Sequence, residues 1–148
     1  MTTKIPISAI GEYMEDEVDR LLRAVVLQTD RLVKKASPVD TGRFAVSWMI
    51  GKDDQNGKPK KPGNYGKQIT PPKGSNYLPG TETVGSAYYV HNNLPYAEPV
   101  ALGTNLPPSW GGKYRSKGNQ VTAGWFQLVA KDMEDITKQF WNDIKGTT

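Results

Sequence analysis

Apolar residues recur over the first forty positions at the spacing of a helix. Met14, Val18, Leu21, Val25 and Leu32 fall three, four or seven apart, and Leu22, Val26 and Val33 widen the stripe. Glu15, Asp16, Asp19, Arg20, Arg23, Asp30 and Arg31 take the other side. The pattern predicts an amphipathic helix from about Ser8 to Ser37 with one solvated face. Ser8 suits the N-cap, because its hydroxyl can accept from a free first-turn amide. Lys34 and Lys35 suit the negative end of the helix dipole. Pro38 disfavours helical backbone at Ser37 and stops the helix.

A compact turn, Pro38-Val39-Asp40-Thr41-Gly42-Arg43, comes next. Asp40 can bond backbone two residues on, and Gly42 tolerates positive φ. Phe44, Val46, Trp48 and Ile50 then alternate with Ala45, Ser47 and Met49, which predicts a strand with one bulky apolar face lying on the first helix. A second alternation, Val84, Ser86, Tyr88 and Val90, predicts a second strand, broken by Asn92-Asn93-Leu94-Pro95. Pro95 can open a short helical turn at Tyr96-Ala97-Glu98, closed by Gly103. A closing helix is expected from Thr122 as N-cap, with Phe126, Val129 or Ala130, Met133, Ile136, Phe140 and Ile144 as its apolar stripe and Gly146 near its end. Two flanking helices and a few short strands make an α+β fold, expected as one domain over 1–148 with a small, mostly antiparallel sheet.

Between these elements the composition changes. Residues 51–81 hold five prolines and six glycines, and their six lysines against two aspartates leave +4. Residues 104–120 add Lys113, Arg115 and Lys117. The whole chain carries only +4, so the ordered remainder is about −3 once the +7 of the two stretches is set aside. Segments of this kind bury too little to offset their ordering entropy alone. Mobile basic loops are expected at about 51–81 and 104–120.

Enzyme chemistry finds little purchase. There is no cysteine, which excludes disulfides, thiolate metal sites and thiol nucleophiles. The single histidine, His91, has no evident partner, and no P-loop, dinucleotide fingerprint or nucleophile elbow is present. The carboxylates at 15–19 and 132–135 lie on polar helix faces without an oxygen-rich loop. Asp40 and Arg43 could form a local ion pair, but a catalytic Asp needs a second titrating member. No cofactor, metal or small-molecule substrate is expected. No segment is apolar enough to span a bilayer. Met1–Pro6 lacks a hydrophobic region suited to secretion, so cytosolic synthesis is expected. Tyr65, Tyr77, Trp110 and Tyr114 interleave with the basic residues, which admits a nonspecific nucleic-acid reading.

Three motifs, taken in order, resemble a family. They are Pro38-Val39-Asp40-Thr41-Gly42-Arg43-Phe44 after a long helix, Asn92-Asn93-Leu94-Pro95-Tyr96-Ala97-Glu98-Pro99, and Gln120-Val121-Thr122-Ala123-Gly124 before the last helix. The order is similar to that of the tail-completion proteins of long-tailed bacteriophages, the minor tail protein Z group and its neck relatives. The resemblance implies an α+β fold, no catalytic residues, and a homo-oligomeric ring, expected as a hexamer, at the head–tail joint of the virion. Its partners would be further copies and adjacent neck and tail proteins, with DNA passing through the ring. A tail-terminator or head-closure role and a nonspecific DNA-binding module are the alternatives.

A closed ring needs two unlike patches that meet. The expected contact is the turn Asp40, Thr41, Gly42, Arg43 together with Leu94, Pro95, Tyr96, Glu98 and Gly103, the most rigidly specified loops of the chain. Lys58, Lys60, Lys61, Lys67, Lys73, Lys113, Arg115 and Lys117 are expected to face the channel or an acidic neighbour, ordering on assembly.

Overall fold

The computed structural model describes residues 7–103, 106–107, 110 and 124–146. Its helix α1, Ile7–Ala36, begins one residue before the expected cap and ends one residue before Ser37. Next come a single helical turn α2, Arg43–Val46, and strand β1, Trp48–Lys52. Strand β2, Tyr88–Asn92, is followed by the short helix α3, Ala97–Leu102, and the closing helix α4, Trp125–Gly146. The two strands pair antiparallel, with Trp48 opposite Asn92 and Lys52 opposite Tyr88. The fold is α+β, with α4 packed along α1. The expected Thr122 cap lies outside the described residues.

The strand expected over Phe44–Ile50 is half helix. Arg43–Val46 closes a turn, with the Val46 amide donating to the Gly42 carbonyl at 3.1 Å, and extension begins only at Trp48. Alternation misleads here because both sides are covered. Ala45, Ser47 and Met49 are as buried as Phe44, Val46, Trp48 and Ile50. The second strand likewise starts late, at Tyr88. Before it, the Ala87 amide donates to the Asp53 carboxylate at 2.8 Å, and the Asp53 amide donates back to the Ala87 carbonyl.

The main core gathers Leu32, Val33 and Ala36 of α1, Phe44 of α2, Trp48 of β1, Leu94, Val100 of α3, and Trp125, Val129 and Met133 of α4. Phe44 meets Trp48 and Trp125 edge-on, with centroids 5.5 and 6.2 Å apart, a geometry worth about 0.5–1.5 kcal/mol per pair beyond burial. A second cluster, Val26, Ile50 and Tyr77, lies under the middle of α1. Residue Trp125 leads the buried face of α4, not Phe126. Trp125 is fully buried with its indole N–H on the Val100 carbonyl at 2.8 Å, while Phe126 is 36% exposed and stacks on Trp48. Val129 takes the buried place and Ala130 is exposed.

Residues 53–87, between the strands, are irregular, as their composition predicts, but hydrogen bonds tether them. The Ile50 amide donates to the Lys73 carbonyl at 2.9 Å, and the Asn76 side chain bonds both the amide and the carbonyl of Lys52. This loop therefore covers the free edge of β1, which would otherwise be open for pairing.

Candidate functional site

Gly42 sits at φ +85°, left-handed backbone that a β-carbon would strain. A Cβ placed there would stand 2.1 Å from the Gly66 carbonyl oxygen. The turn is this tight because residues 60–66 fold back on it. The Thr41 carbonyl accepts from the amides of Tyr65 and Gly66, and the Tyr65 hydroxyl donates to the Lys61 carbonyl at 2.7 Å. Arg43 does not pair with Asp40, as the sequence suggested. Its backbone amide donates to the Thr41 hydroxyl, and its Nε donates to the Lys60 carbonyl at 2.8 Å. The guanidinium carbon then lies 5.8 Å from the centre of the Tyr96 ring, within reach of a cation–π contact.

These residues enclose a cleft of about 390 Å³ lined by Pro38, Asp40, Thr41, Gly42, Arg43, Phe44, Pro62, Gly63, Tyr96 and Trp110. Its size is at the low end of binding pockets, suited to a few side chains. Five of the nine residues expected at a contact meet here: Asp40, Thr41, Gly42, Arg43 and Tyr96. The other four do not line it. Leu94 is in the core, Pro95 and Glu98 face solvent, and Gly103 caps α3 at φ +68°. The wall of Pro62, Gly63 and Trp110 went unpredicted, although Pro-Gly is itself a turn signal.

The basic residues divide. Lys58, Lys61, Lys67 and Lys73 are exposed and Lys60 half-buried, while Lys113, Arg115 and Lys117 lie outside the described residues. The segment carrying Lys58–Lys73 is already held within one chain. The Lys60 amide donates to the Ser47 hydroxyl at 3.2 Å, and Lys73 is fixed through Ile50. Contact with the Lys60 side chain, then partial burial and the Lys34 charge, lowers the Lys73 ammonium from its ordinary range.

Beside the middle of α1, Glu82 is buried among donors. It accepts from the Tyr77 hydroxyl, from Arg23 Nε at 3.0 Å and from the Gly80 amide at 3.0 Å. Burial alone would raise its carboxyl, but these donors outweigh burial and hold it below the usual range. Burial first, and Glu82 second, push the Tyr77 hydroxyl well up.

His91 is buried, with Nδ1 3.0 Å from the Asn93 side-chain oxygen, and its Nε2 has no partner among the described residues. No trio of His, Asp or Glu among the described residues is placed to hold a metal ion, and no described helix is long and apolar enough to cross a membrane. No family model matches this chain, and no curated protein or solved structure does either.

Proposed function

We propose that the protein is a structural subunit of a tailed phage, building a homo-oligomeric ring at the head–tail joint as a tail-completion or neck component. One observation carries this reading. The Asp40–Arg43 turn and Tyr96 come from two motifs more than a third of the chain apart, and they converge on one exposed cleft whose walls are mostly apolar. Such a cleft suits an aromatic-anchored protein contact, in which a few well-seated side chains supply most of the affinity. Tyr96, 38% exposed and held under Arg43, is the natural anchor.

Light scattering on the purified protein over a range of concentrations, with electron microscopy of the product, tests the reading. A closed ring is expected. Tyr96→Ala should weaken association at least tenfold while leaving the melting temperature of the free subunit nearly unchanged. A protein that stays monomeric at every concentration would exclude the ring. The Lys60–Lys73 adjacency favours the second reading, a nonspecific DNA-binding module. Duplex binding by the monomer that falls steeply with salt would support that alternative.

A further inference from the structure

We propose that strand β2 is a docking edge for a second copy of this chain. Two β2 strands pair antiparallel about a two-fold axis at Val90, and the two sheets join into one of four strands. This contact goes beyond the ring reading and does not rest on it.

The two edges of the sheet differ. Along an antiparallel pair, successive residues turn their amide and carbonyl alternately toward the partner strand and away from it. The Asp53 amide donates to the Ala87 carbonyl, which sets the phase. Gly51 with Tyr89, and Met49 with His91, therefore bond each other across the sheet. Ile50 and Lys52 face away from β2 on one side, and Tyr88, Val90 and Asn92 face away from β1 on the other. The outer side of β1 is occupied, because the Ile50 amide donates to the Lys73 carbonyl and Asn76 bonds both the amide and the carbonyl of Lys52. The outward backbone groups of Tyr88, Val90 and Asn92 have no partner among the described residues.

Folded chains usually blunt such an edge with lysine, proline, a bulge or a covering loop. Strand β2 carries none of these. Its register with β1 runs without interruption, and Tyr88–Asn92 contains no proline, lysine, arginine or carboxylate. The side chains tell the same story. Val90 packs against both core clusters yet stays half-buried, and Tyr89, on the opposite face of the sheet, is 39% exposed.

The occupant follows from which edge is free. Strand β1 of another copy cannot serve, since residues 73–76 already cover it. A second β2 fits by its own symmetry. With the axis at Val90, Val90 faces Val90 and Tyr88 faces Asn92, so each outward amide meets an outward carbonyl over the whole strand. A two-fold contact brings like residues close together, and β2 has no formal charge to repel its copy. The same patch meets itself, and growth stops at four strands because a covered β1 lies at each end. Where the ring contact also forms, this two-fold sets two rings back to back.

A single cysteine reads the contact, because the chain has none of its own. Facing Cα atoms of a hydrogen-bonded pair stand about 5.5 Å apart, within disulfide reach. Under mild oxidation Val90→Cys should link to itself, while Tyr89→Cys, offset from its copy across the axis, should not. Tyr89→Lys would bring two cations to about 7–8 Å on the diagonal. It should weaken association at least tenfold, with the melting temperature of the free subunit nearly unchanged because Tyr89 is exposed. In the unaltered protein the Val90 amide should exchange hydrogen slowly at high concentration and faster on dilution. Linking through Tyr89→Cys in place of Val90→Cys, or a Val90 amide that exchanges freely at every concentration, overturns the edge contact. Rings in which that amide exchanges freely do so while leaving the ring reading standing. A two-fold dimer that never closes into a ring upholds the edge contact and removes the ring reading.

Discussion

Lys34 and Asp30, one helical turn apart, are both buried and meet at 2.7 Å. Two ions taken from water need further bonds to be worth burying. Lys34 finds them in the Thr70 carbonyl at 3.1 Å and the Pro71 carbonyl at 3.4 Å, so it staples the loop to α1. Asp30 is less well served: its Oδ1 has no partner among the described residues, and burial raises its carboxyl despite Lys34. Lys34→Met should cost about 3 kcal/mol or more in urea unfolding, because it leaves a buried carboxylate unpaired and two carbonyls unmet. Adding Asp30→Leu should recover part of that loss. Helical spacing assigns Asp30 to the solvated side of α1, and this is the expectation the fold corrects. Periodicity finds the faces of a helix, but it does not reveal that residues 69–72 will lie across one of them.

Among the elements, the turn before α2 shows how much a glycine can decide. Gly42→Ala meets both a left-handed backbone and the Gly66 carbonyl at 2.1 Å. Gly66→Ala meets the same kind of backbone, at φ +64°, but open space. The second change should cost about 1–2 kcal/mol, and the first clearly more, with the melting temperature reading the difference. The elements were unevenly legible. The limits of α1 lie within a residue of those its stripe and Pro38 predict, because a long amphipathic helix repeats its signal many times. The alternation over Phe44–Ile50 points to a strand where half is helix, because a segment enclosed on every side keeps no burial period. The stripe of α4 holds at Val129 and Met133 but opens at Trp125 and not at the expected Phe126, since two adjacent aromatics give no choice between them without knowing that Val100 waits for the Trp125 indole. The cleft was legible in half: its two motifs carry distinctive turn residues, whereas Pro62, Gly63 and Trp110 arrive from stretches of loop with no period.

For the molecule as a whole, the buried ionisable groups shape stability against pH. Glu82 has its carboxyl lowered in the fold, so its contribution is present above about pH 4.5 and is lost as pH falls through the folded value. Tyr77 has its hydroxyl raised, so its contribution is present below pH 10 and is lost as pH rises beyond that. Asp30, also raised, works against Glu82, favouring the fold more at low pH and less as pH climbs past 3.8. Glu82→Gln should flatten the acid side of the unfolding-midpoint profile and cost about 1–3 kcal/mol at neutral pH. The placement of charge was legible at this scale, since a surplus of lysine marks the loop. Its tethering was not, because it depends on Asn76, Ser47 and Lys34, residues whose bonding has no signature in spacing.

Because residues 53–87 separate β1 from β2, neither strand can find its mate by zipping outward from a tight hairpin. Closing so long an excursion costs chain entropy that grows with the logarithm of its length, and non-local pairing of this kind slows folding. The helices can wind early on the strength of neighbours in sequence. Ile50 and Val90 must wait, uncovered, until the excursion settles, and the newly synthesised chain is then most open to capture by a chaperone or by another unfinished copy of itself.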